Sequence, residues 1–170
     1  KNGVRIGQAP VSEWSYFRDI MQKYPAVTRG NTLIGAEAKP VELPMQKREP
    51  FEQIFYFNQA GELIGRSYDA CENVLTLTLQ SAPHKPQTMR LALCPLVRAQ
   101  RRRLEYSVLN HELGDIAYTY PERLYDLGLR TDVPAGNFFI VAPSPQATWP
   151  TSIGNRFLIT NGAAERMETV

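Results

Sequence analysis

The chain holds only two cysteines, Cys71 and Cys94, at the ends of the stretch "CENVLTLTLQSAPHKPQTMRLALC". Two thiols at this spacing admit a disulfide, a pair of reduced core residues, a metal site or a nucleophile. The runs 73–80 and 89–94 both alternate, so they read as paired strands around the polar loop "SAPHKPQ". Setting Leu77 opposite Thr88 brings Cys71 opposite Cys94, within bridging range. Setting Leu77 opposite Met89 gathers the leucines on one face and points the two sulfurs to opposite faces. A bridge closing this loop would add on the order of 3 kcal/mol and implies an oxidising compartment, periplasmic or secreted. The cysteine spacing is far from the C-x-x-C of zinc sites, and no metal or other cofactor is expected. A Cys94 thiol nucleophile would need an activating base such as His111.

The second group is "NHELGD" (110–115), which places His111, Glu112 and Asp115 together. A histidine beside carboxylates can act as a general base in a hydrolase-like site. The zinc-protease pattern requires a second histidine where Asp115 stands, so that motif fails. Asn110, Gly114 and Asp115 also suit a plain turn. The third group is "VRAQRRRLEY" (97–106), with Arg98, Arg101, Arg102 and Arg103. Guanidinium forks suit carboxylates and phosphates. The expected hairpin allows Lys85 and Arg90 to lie beside this basic edge. The cluster reads as a strand-edge guard or as a binding surface for an acidic protein partner or lipid headgroups. Nucleic-acid binding through residues 98–103 is a weaker alternative, because such binding favours a larger basic surface and exposed aromatic residues.

These groups must be carried by an ordinary folded domain. The 170 residues are 43% hydrophobic and carry a net charge of +2, which fits a single globular domain and demands no anionic partner. Residues 11–24 predict a helix with Trp14, Phe17, Met21 and Tyr24 on one apolar face, Ser12 as its cap and Pro25 as its stop. Residues 26–50 read as a long connection with a short strand at 32–34. Residues 53–68 predict a hairpin turning at "NQAG", with Gly61 in the left-handed position. Strands follow at 73–80, 89–94, 101–110 and 115–120, with Leu104, Tyr106 and Val108 on the core side of the third. Residues 121–129 predict a short helix, 137–142 a buried strand and 155–160 a last strand. The fold class is therefore α+β, an N-terminal helix packed on an antiparallel meander.

"VPAGNFFIV" (133–141) resembles a strand of the type I signal peptidases. The Ser-Met-x-Pro nucleophile motif of that family is absent here, and no site residue carries over. The order helix, long connection and meander resembles the globular part of type IV pilin-like proteins at the level of fold. The chain begins with Lys1 and contains no run of ~20 apolar residues. We therefore expect a fragment or processed form of a membrane-anchored or secreted protein, with the membrane nearby through a missing anchor. The functional expectation is a non-catalytic extracytoplasmic interaction, assembly or sensor domain of the cell envelope or a secretion or pilus system. A hydrolase-like enzyme is the alternative.

Overall fold

The computed structural model describes residues 2–23, 39–45, 49–107, 112–145 and 149–159. It is mostly antiparallel β-sheet with a short N-terminal helix. Among the described residues, eight strands, β1 (Val4–Pro10), β2 (Val41–Pro44), β3 (Glu49–Phe57), β4 (Leu63–Ser81), β5 (Thr88–Ser107), β6 (Glu112–Arg123), β7 (Leu129–Pro134) and β8 (Asn137–Pro143), accompany two helices, α1 (Trp14–Lys23) and α2 (Ile153–Leu158). Six strands form one sheet in the order β2-β4-β5-β6, with β3 also paired to β4 and β7 to β5; β1 and β8 pair separately.

The predicted hairpin at 53–68 forms, and Gly61 sits at φ 86° in its turn. There the chain must reverse within a few residues, and glycine reaches that backbone angle without steric cost. The return strand does not stop at Tyr68. It runs on through the predicted 73–80 segment as one strand, β4, exchanging β3 for β5 as its neighbour near Ala70, whose φ is +42°. Pro50 lies opposite this corner, where a residue without an N–H loses least from the interrupted ladder.

β5 likewise merges the predicted strands at 89–94 and 101–110, crossing Pro95. The Pro95 carbonyl accepts from Leu124 N at 2.9 Å. In an antiparallel strand the N and C=O of one residue face the same side. The proline nitrogen therefore faces the gap between β7, paired up to Leu93, and β6, paired from Leu96. No ladder donor is required at that place, so the strand tolerates the proline.

The core lies at the corner of β4. Ile54, Tyr56, Tyr68, Cys71, Val97, Ala99 and Leu124 meet Ile153 and Phe157 of α2 there. Residues predicted as a final strand thus form a helix instead, with residue 160 outside the described set. Ser152 Oγ accepts from Asn155 N at 3.3 Å and starts the helix. Ile153 and Phe157, four apart, then share its buried face. Gly154 is dictated by close approach, since a Cβ there would lie 1.8 Å from the Gly3 carbonyl oxygen.

The N-terminal helix is shorter than predicted at its start, because Val11–Glu13 form a 3-10 turn after β1. It has no buried residue. Trp14 and Phe17 pack edge-on against Phe138 of β8, at 5.3 and 5.2 Å between ring centroids, and not on the meander. The predicted helix at 121–129 is instead the end of β6, a 3-10 turn at Tyr125–Leu127 and the start of β7. Most of the predicted 26–50 connection, including the strand at 32–34, lies outside the described residues. Its end carries β2 and the start of β3.

Candidate functional site

β5 and β6 pair well beyond the rest of the sheet. β4 covers β5 only as far as Arg98, whereas β6 follows it to Ser107. The pairs from Gln100–Thr119 to Ser107–Glu112 form a two-stranded ribbon extending roughly 25 Å at ~3.3 Å per residue. Side chains from Gln100 to Tyr106 and from Leu113 to Tyr120 are all exposed. Among them are Leu104 at 72% and Leu113 at 68% of full exposure. The predicted core face of Leu104 and Tyr106 is therefore a surface, while Val108 lies outside the described residues.

Register assigns the ribbon two faces. Leu104, Tyr106 and Leu113 share one near the tip, together with Arg102 and Asp115. The other carries Arg101, Arg103, Ile116, Tyr118 and Tyr120. Arg101 lies over the Tyr120 ring at 4.5 Å and Arg103 over Tyr118 at 5.6 Å, each a cation–π contact.

The arginines do not form one basic edge. Arg98 pairs with Glu42 and Glu72 at the sheet's centre. Arg101 reaches Glu122 at 3.1 Å, Arg102 reaches Asp115 at 3.4 Å and Arg103 reaches Glu105 at 2.7 Å. Lys85 and Arg90 are drawn to Asp132 of β7, at 2.7 and 3.0 Å. These two hydrogen bonds hold the Asp132 carboxyl below its ordinary value. The cluster is thus charge-compensated and split between two faces, because alternate residues of a strand point opposite ways.

The expected Cys71–Cys94 bridge is not formed; both thiols are free. The hairpin takes a third register, with Leu77 opposite Leu93 and Thr76 opposite Cys94. It preserves the leucine face of the second register but shifts the pairing four residues further along β5, which shortens the loop. The sulfurs point to opposite faces and stand five residues apart along the ladder, roughly 17 Å at ~3.3 Å per residue. The expectation of an oxidising compartment rested on that bridge and loses its support.

Cys71 instead belongs to a buried polar network. Its Sγ donates to Glu52 Oε2 at 3.3 Å, and Asn73 Nδ2 donates to Glu52 at 2.8 and 3.0 Å and to the Arg156 carbonyl at 3.1 Å. Arg156 Nε lies 3.4 Å from Glu52 Oε1, an ion-pair distance. Burial raises the Glu52 carboxyl above its ordinary value, against the opposing pull of Asn73, Cys71 and Arg156. Burial, then the Glu52 charge, push the Cys71 thiol up to about 12. Burial raises Cys94 as well. Both shifts oppose thiolate formation, the reverse of an activated nucleophile. The network fastens α2 to β3 and β4. The signal that could have found it is Glu52, whose odd-even place in the hairpin turns a carboxylate inward.

Of the "NHELGD" group, His111 and the side chain of Glu112 lie outside the described residues. Asp115 is exposed and engaged with Arg102. Among the described residues no group of three or more His, Cys, Asp or Glu is arranged to hold a metal ion, and no helix is long and apolar enough to cross a membrane. A cleft of about 260 Å³ between β1, β5 and α2 is lined mainly by aliphatic side chains, including Val4, Leu75, Leu93 and Leu158. No protein-family model, no curated protein and no solved structure matches the chain.

Proposed function

We propose that this domain is a non-catalytic interaction and assembly module and that the β5–β6 ribbon is its contact element. The observation that carries the reading is the exposure of Leu104 and Leu113 on a two-stranded ribbon that no other described strand covers. An isolated two-stranded ribbon gains little stability in water, so a long one is best supported by contacts with something else. Clustered exposed apolar side chains mark interaction surfaces. The ribbon arginines, held by carboxylates and stacked on tyrosines, fit the rim of such a surface, where arginine and tyrosine are enriched.

Site-specific photo-crosslinking tests this reading. A photoreactive residue at Leu104 should give a discrete crosslinked species in cells of the natural source, while one at Glu62, in the exposed β3–β4 turn, should give none. Absence of any product from Leu104, with the variant folded, would overturn the ribbon as contact element.

A further inference from the structure

The ribbon has two open edges of different character. Beyond Arg98, β5 has no described strand on the side away from β6, and among the described strands β6 pairs with β5 alone. On each open edge, half of the backbone N–H and C=O groups point away from the partner strand. Such edges recruit further strands unless charge or proline guards them. β5 carries Arg101, Arg102, Arg103 and Glu105 within this stretch, so it is guarded. From Leu113 to Tyr120, β6 carries one charge, Asp115, and no lysine, arginine or proline.

We propose that the β6 edge pairs with the β6 edge of a second copy of this chain, antiparallel about a two-fold axis at Ala117. This inference rests on the ribbon being the contact element and names its partner. Symmetry favours it. A two-fold axis normal to the ribbon keeps each face on its own side, so Ile116 of one copy faces Tyr118 of the other, and Tyr118 faces Ile116. The Arg103–Tyr118 and Arg101–Tyr120 face then continues across both copies. Asp115 falls opposite Thr119, so the charges do not collide. Pro121, at the end of the paired stretch, falls opposite Leu113, where its missing N–H costs at most one ladder bond. An axis on Arg101, Arg102 or Arg103 of the β5 edge would set that arginine against its own copy, a destabilising arrangement. The β6 contact is isologous and closes at two copies. Its energy comes from main-chain hydrogen bonds and matched apolar pairs, as in strand addition.

The axis makes Ala117 its own neighbour, which gives a selective test. The full chain should sediment as a dimer at micromolar concentration. Ala117→Lys and Ala117→Glu should each raise the dimer dissociation constant roughly tenfold or more, and an equimolar mixture should recover the dimer. Ala117 is exposed, so both variants should fold. As an independent measurement, Ala117→Cys in a Cys94→Ser background should crosslink between copies on mild oxidation, while Thr119→Cys should not. A wild-type monomer at hundreds of micromolar, a dimer indifferent to both charges, or equal crosslinking from 117 and 119 would overturn the proposal. If the chain is monomeric but Leu104 still crosslinks to a different protein, self-pairing fails and the interaction-module reading stands.

Discussion

The two halves of β5 share a strand, an alternating pattern and a neighbour in β6, yet they end in opposite environments. In residues 91–99, Leu91, Leu93, Leu96, Val97 and Ala99 are buried. In residues 100–106 nothing is. Leu104 and Leu96 are the same residue type on the same face of the strand, eight residues apart, yet one is 72% exposed and the other 1%. The difference is what lies over them. The first half is flanked by β4 and by β7 and then β6, and its Val97 and Ala99 join Ile54 of β3 and Phe157 of α2 in the core, while among the described strands the second half meets only β6. Alternation states which side chains share a face, and only neighbouring elements decide whether that face is covered.

The contrast can be broken most sharply by truncation. Phe157→Ala, at 2% exposure under the first half, should cost about 3–5 kcal/mol in denaturant unfolding. Leu104→Ala should stay within about 0.5 kcal/mol for the monomer. Equal costs would mean that the ribbon is packed like the core. Next in size is Asn73→Ala, which strips donors from the buried Glu52 carboxylate and should cost about 1.5–3 kcal/mol.

Glu52→Gln sharpens the comparison through pH. Burial holds the folded carboxyl above 4.5, its ordinary value. As pH rises through that value the unfolded chain gives up the proton first, so the native state loses stability until pH passes the raised folded value. The Tm of Glu52→Gln minus that of wild type should therefore increase between pH 4.5 and neutrality. A flat difference would mean that Asn73, Cys71 and Arg156 already offset the burial. The smallest effect belongs to the ribbon charges. Arg102→Ala, at an exposed pair with Asp115, should change stability by less than about 1 kcal/mol and respond little to salt.

Much of the β framework was legible. The 53–68 hairpin and its Gly61 turn follow from a β-branched and aromatic run ending in a glycine turn. The 115–120 and 137–142 strands follow from composition, although the second, expected to be buried, is only half-buried along its length. Three features were not. The runs 89–94 and 101–110 read as separate strands, but they are one, because Pro95 between them sits where β6 and β7 part and no donor is missed. "NRFLIT" reads as a strand, but Ser152 caps a helix whose Ile153 and Phe157 close the core. The cysteines read as a possible bridge, but a loop of only six residues between β4 and β5 fixed the register and separated them. The arginine cluster was visible as composition; its division between two faces and its carboxylate partners were not.

The sequence by itself determined the strand-rich architecture, the position of the main turn and the two-faced pattern of each strand, because these depend on local backbone preference and on a period of two. The tertiary structure alone decided which faces are buried, which carboxylate is enclosed and which strand edges stay open. Those outcomes depend on pairing between residues far apart in the chain. A shift of register or a missing neighbour changes them without altering any local pattern.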